Sequence, residues 1–105
     1  MLTFNLKKEW FEKIKSGEKT HEYREVKPYW TKRIYKTLGL DDNDFLYALG
    51  CIPAMCIIHF VNGYNPKNGE LSAFITNISI TSGLNTDLKI NKPVYDIEFE
   101  LIERR

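Results

Sequence analysis

The chain has 105 residues, 43% of them hydrophobic, 13% aromatic and 28% charged, which suits one modest core and excludes both a disordered segment and two independent domains. No apolar run nears the ~20 residues of a membrane-spanning helix, and "MLTFNLKKEW" lacks the layout of a signal peptide, so a cytoplasmic protein without a membrane partner is expected. The net charge of +1 hides a split: residues 1–36 carry ten Lys/Arg against five Glu, and residues 37–105 carry five against nine acids. A basic face attracts anionic partners such as nucleic acid or nucleotides, although an ordinary solvated helix surface would have the same composition.

"LTFNL" (2–6) alternates as a short first strand. "KKEWFEKIKSG" reads as a helix over about 8–16, with Trp10, Phe11 and Ile14 on one face and Glu9 spaced to pair with Lys13. Gly17 caps its C-terminus, because glycine takes positive φ without a side-chain clash. "KTHEYRE" then alternates as a strand over 20–24, with Thr20, Glu22 and Arg24 on one face and His21 and Tyr23 on the other. Lys19 stands at its entrance. Pro28 opens a second helix, "PYWTKRIYKTL", whose stripe is Trp30, Ile34 and Leu38. "GLDDNDFLYALGCIP" reads as an irregular connection with a short helical turn, in a position that permits a lid over a cleft without specifying one. "AMCIIHFVNGY" and "ELSAFITNISIT" are strand-like, with "NGYNPKNGE" as the turn between them. "SGLNTDLKINKP" is a polar loop. "VYDIEFELIE" closes the chain as a strand with Val94, Ile97, Phe99 and Leu101 inward and Asp96, Glu98 and Glu100 outward. The sum is a single α+β domain over residues 1–105, built on a bent sheet or small barrel.

The chemistry concentrates in the first third. The helix, the Gly17 turn and the strand bring Lys7 or Lys8, Lys19, Glu22 and Arg24 towards one region. Arginine offers a planar fork to phosphate or a base edge, and lysine a mobile point charge. A carboxylate between them accepts a base N–H, orients the arginine or acts as a general base. Trp10, Tyr23, Tyr29 and Trp30 are near enough in sequence to stack on a base. Against this, Glu22–Arg24 is a same-face pair of a kind that is often purely structural, and both tryptophans lie on the apolar stripes of their helices. Tyr35 and Tyr64 have no assignable place. His21 points away from Glu22, and His59 reads as a satisfied core or barrel-rim histidine. Cys51 and Cys56 read as reduced, partly buried thiols, and with the two histidines they form no metal-ligand spacing, so no metal or cofactor is expected.

"LKKEWFEKIKSGEKTHEYR" resembles the ASCH domain of the PUA-like superfamily. The signature G-x-K-x-x-E-x-R after the first helix is matched by Gly17, Lys19, Glu22 and Arg24, and the order of elements is similar over the whole chain. The resemblance implies a PUA-like β-barrel of about five or six strands flanked by two or more helices, with a cleft lined by the motif. It implies RNA or a nucleotide-like small molecule as the partner, with Lys7, Lys8, Lys19, Glu22, Arg24, Tyr23 and Tyr29 as ligand-binding residues. Some relatives are enzymes, either amidohydrolases of N4-acetylcytidine or ribonucleases, and for a hydrolase of that kind Lys19 and Glu22 are the expected catalytic pair. The amidohydrolases' threonine nucleophile is replaced here by Glu22, and Thr20 does not stand at the matching position, so that triad does not carry over. A third possibility is a protein-interaction module using "VYDIEFELIE" as an edge strand.

Overall fold

The structure is a computed structural model that describes residues 2–38 and 56–102. Along the chain run β1 (Leu2–Leu6), α1 (Lys8–Lys15), β2 (His21–Glu25), α2 (Pro28–Leu38), β3 (Ile57–Asn62), β4 (Glu70–Ser82) and β5 (Pro93–Leu101). The strands form one five-stranded sheet in the order β1-β3-β4-β5-β2, curled into a half-barrel with two helices. β1 pairs with β3 in parallel, and the other neighbours are antiparallel. A parallel pair needs a long crossover, and the chain between β1 and β3 holds α1, β2 and α2.

The curl has a local cause. In β4 the register against β5 shifts between Ile75 and Asn77, leaving Thr76 as an extra, exposed residue. Because of that bulge Ile75 and Ile78, three apart, are both buried, which strict alternation forbids. A bulge also raises the local twist, bending the sheet so that its two edges approach each other. The approach is direct: the Arg24 guanidinium on β2 lies 4.7 Å from the centre of the Phe4 ring on β1.

Inside the curl lie Phe4, Ile58, Phe60, Ala73, Ile97 and Phe99, each at most 3% exposed. α1 adds Phe11 and Ile14, and α2 adds Ile34 and Leu38, as their periodicity predicts. Tyr95, only 1% exposed, shares a 2.5 Å hydrogen bond with Thr31 of α2, which ties the helix to β5. The hairpin between β3 and β4 turns at Gly63 (φ 72°) and through a short 3-10 turn, where the Asn65 side chain accepts from the Lys67 N–H.

Three expectations change. β5 is an inner strand between β4 and β2, so "VYDIEFELIE" presents no free edge; the edges are β1 and β2. Both Val94 and Tyr95 are buried, the tyrosine because α2 covers it. The second strand runs from His21 to Glu25, one residue later than its alternation predicts. The expected short helical turn within residues 39–53 lies outside the described residues, as does Cys51, and Cys56 is a buried free thiol. Among the described residues no helix is long and apolar enough to cross a membrane.

Candidate functional site

The C-terminus of α1 is built to deliver Lys19. Ser16 caps the helix, donating its N–H to Glu12 and its hydroxyl to the Lys13 carbonyl. Gly17 then takes φ 85°, which reverses the chain so that the Lys19 N–H reaches the Lys13 carbonyl at 3.0 Å. Lys19 therefore doubles back over the helix. Its ammonium sits 5.0 Å from the centre of the Trp10 ring and 5.3 Å from that of Tyr23, both at cation–π range. It contacts the Asp87 carboxylate directly and lies 3.8 Å from Glu22 Oε1.

Glu22 occupies an inward position of β2, in register with Ile97 of β5, and is 5% exposed. Its Oε1 accepts the Tyr23 N–H at 3.0 Å, while Oε2 is buried without a hydrogen-bond partner. Arg24 Nη2 stands 3.8 Å from that oxygen, near enough for attraction and too far for a hydrogen bond. Burial pushes the Glu22 carboxyl above its usual range; Arg24, Lys19 and the Tyr23 N–H pull it down by less, and Asp87 adds to the rise. The Arg24 guanidinium lies over two adjacent aromatic rings, 4.7 Å from the centre of Phe4 and 4.9 Å from that of Trp30. Its Nε is also buried and unpartnered.

These groups open into a cavity of about 540 Å³. That falls within the roughly 300–1,000 Å³ of ordinary small-molecule sites. Of the residues expected to bind ligand, Lys7, Lys19, Glu22, Tyr23 and Arg24 line it. Tyr23 contributes although it alternates away from Glu22, because β2 is an edge strand whose outer side chains reach around the rim. Lys8 and Tyr29 do not line it. Lys8 is exposed on α1, and Tyr29, half exposed on α2, carries the Arg33 guanidinium 3.5 Å from its ring centre. Trp10 serves both roles open to it, packing on the core and walling the cavity.

Sequence reasoning missed Asn5, Leu6, Gly63, Tyr64, Asp87 and Leu88 as lining residues. Tyr64 had a readable signal, an aromatic at the tip of a glycine-asparagine turn; its ring is 91% exposed at the mouth. Asp87 had none, since it lies in an aperiodic polar loop 68 residues from its partner Lys19.

A second groove of about 480 Å³ shares Trp10, Lys19, Tyr23 and Asp87 with the first, so the Lys19–Asp87 pair is a wall between the two. His21 lines that groove, with Nδ1 2.6 Å from Asp96. His59 departs from its expected satisfied state. Its Nδ1 meets Ser72 at 3.0 Å and Glu70 at 3.4 Å, but Nε2 is buried without a partner. Among the described residues no three His, Cys, Asp or Glu side chains are grouped to hold a metal ion. No protein-family model, curated protein or solved structure matches the chain.

Proposed function

We propose that the protein is a PUA-like module of the ASCH type that binds a nucleoside or an RNA base in the Lys19–Glu22–Arg24 cavity. One observation carries this reading: a buried carboxylate oxygen and a buried guanidinium N–H, both without hydrogen-bond partners, flank a cavity walled by aromatic rings. Unmet buried polar groups are costly, and a ligand edge carrying one donor and one acceptor would relieve both. Nucleobases have such edges on planar rings that stack on Trp or Tyr. Lys7 at the cavity, and Lys32, Arg33 and Lys36 lining a shallow groove on α2, supply sequence-independent attraction for an RNA strand.

The test is thermal stability against nucleosides, modified nucleosides, nucleotides and short RNAs at low and moderate salt. A ligand-dependent rise that vanishes in Lys19→Ala or Arg24→Ala supports the reading. Equal shifts in wild type and both variants remove the cavity as the site.

A hydrolase reading draws on the same cavity, because the Lys19 ammonium is flanked by two carboxylates, Glu22 and Asp87. Such a group suits proton transfer to and from a bound amide or ester. Release of acetate from N4-acetylcytidine, or cleavage of RNA, that stops in Glu22→Gln would favour it. Turnover at wild-type level in that variant would count against it.

A further inference from the structure

We infer that Asp87 is the anion filter of the cavity: by holding the Lys19 ammonium at the wall, it turns phosphate away and reserves the site for an uncharged ring with a polar edge. The inference deepens the reading of the cavity as a nucleobase site and rests on it.

A cleft that recognises phosphate keeps cationic donors unspent for the ligand's oxygens. Here the ammonium is spent. Lys19 has only 11% of its side chain exposed; it is in contact with Asp87, 3.8 Å from Glu22, and covered by the faces of Trp10 and Tyr23. Arg24 lies over the rings of Phe4 and Trp30 with Nη2 3.8 Å from Glu22 Oε2, so its open N–H donors already stand beside a carboxylate. An entering phosphate would displace a carboxylate already in place or lie beside one, and like charges brought together repel. Lys7, exposed at the cavity's edge, is placed to meet a phosphate that stays outside.

Asp87 is presented by its loop independently of Lys19. The β4–β5 loop closes on itself at Gly83, where an added Cβ would stand 2.5 Å from the Ile90 carbonyl oxygen, so only glycine fits. The Gly83 N–H reaches the Lys92 carbonyl at 2.8 Å. Thr86, 4% exposed, donates its hydroxyl to the Gly83 carbonyl at 2.8 Å, and the Leu88 N–H donates to that same oxygen atom of Thr86 at 3.2 Å. These bonds lie on both sides of Asp87. They carry it to the cavity together with Leu88, whose exposed side chain is an apolar wall beside the carboxylate. A carboxylate next to an apolar wall suits a neutral ring bearing N–H donors and opposes an anion.

The experiment is calorimetric titration of wild type and Asp87→Asn with inorganic phosphate, the four common ribonucleosides and their 5′-monophosphates. Wild type is expected to bind a nucleoside at least as tightly as its monophosphate. Asp87→Asn is expected to gain about tenfold or more for inorganic phosphate and for the monophosphate relative to the nucleoside. Adding Lys19→Met to Asp87→Asn should cancel the gain, which shows that the freed ammonium is what phosphate finds. Equal phosphate affinity in wild type and Asp87→Asn overturns the filter, even where nucleosides bind as proposed. Should no nucleoside bind either protein while phosphate gains on Asp87→Asn, the filter stands and the nucleobase reading falls.

Discussion

The inner surface of the curled sheet has two walls made to different rules. Where β3 meets β4, Ile58 faces Ala73 in register and Phe60 packs on Phe4 and Phe99, with every side chain apolar and sealed. Where β2 meets β5, the position opposite fully buried Ile97 is Glu22, and two residues on stands Arg24. On these inner faces the second wall leaves polar atoms unpaired, whereas His59, whose Nε2 is also unpaired, alternates with Ile58 and Phe60 onto the other face of β3. The first wall is what an optimum for stability looks like, and the second departs from it at the mouth of a cavity. Such departures mark functional sites, because the stability they forgo is recoverable when a ligand binds.

Substitutions can test that contrast in order of size. Phe60→Ala in the sealed wall should lower unfolding free energy by about 3–5 kcal/mol, measured by chemical denaturation, since it leaves a cavity among side chains with no room to close. A loss below about 1 kcal/mol would mean that this wall is not the core.

Glu22→Gln should do the reverse at neutral pH, stabilising the protein because a neutral amide is less costly to bury than a charge, while weakening ligand binding. The sign follows from burial, which raises the folded-state carboxyl above its ordinary 4.5. A raised carboxyl holds its proton more tightly in the fold, so its favourable contribution is complete below 4.5 and is lost as pH climbs through the folded value. The advantage of Glu22→Gln should therefore grow as pH rises from 4.5 through the folded value and level off above it. A wild type that gains on the variant as pH rises would instead show that Lys19 and Arg24 keep the group charged.

Gly17→Ala is smaller. Nothing lies within 4 Å of the added methyl, so its cost is conformational, about 1–2 kcal/mol for the positive φ. It should also weaken ligand binding, because the turn carries Lys19. Binding at wild-type strength in a destabilised Gly17→Ala would separate the turn from the site. Smallest for the fold is Tyr64→Ala, expected to change stability by less than about 0.5 kcal/mol because the ring is almost wholly exposed. Its effect should appear instead as weaker affinity for ring-bearing ligands, with Tyr64→Phe behaving like wild type. If Tyr64→Ala also binds normally, the ring at the mouth plays no part in recognition.

Local pattern carried much of this architecture. The stripes Phe11–Ile14 and Ile34–Leu38 give both helices, and alternation gives β1 and β5, because burial of one face requires those periods. The turn from Gly17 to Lys19 and the inward positions of Glu22 and Arg24 were legible for the same reason, since each depends on residues a few positions away. What pattern could not supply is contact between remote segments. The sheet order that makes β5 an inner strand, the bulge that bends β2 towards β1, and the arrival of Asp87 and Leu88 beside Lys19 all depend on pairings tens of residues apart. Lys8 and Tyr29 illustrate the same limit from the other side, because nearness in sequence to the motif did not place them in the cavity. Local sterics and hydrophobic period specify which elements form and which side chains point inward. That the Lys19 ammonium is already held by Asp87 follows from the way the curled sheet brings the β4–β5 loop over the Gly17 turn.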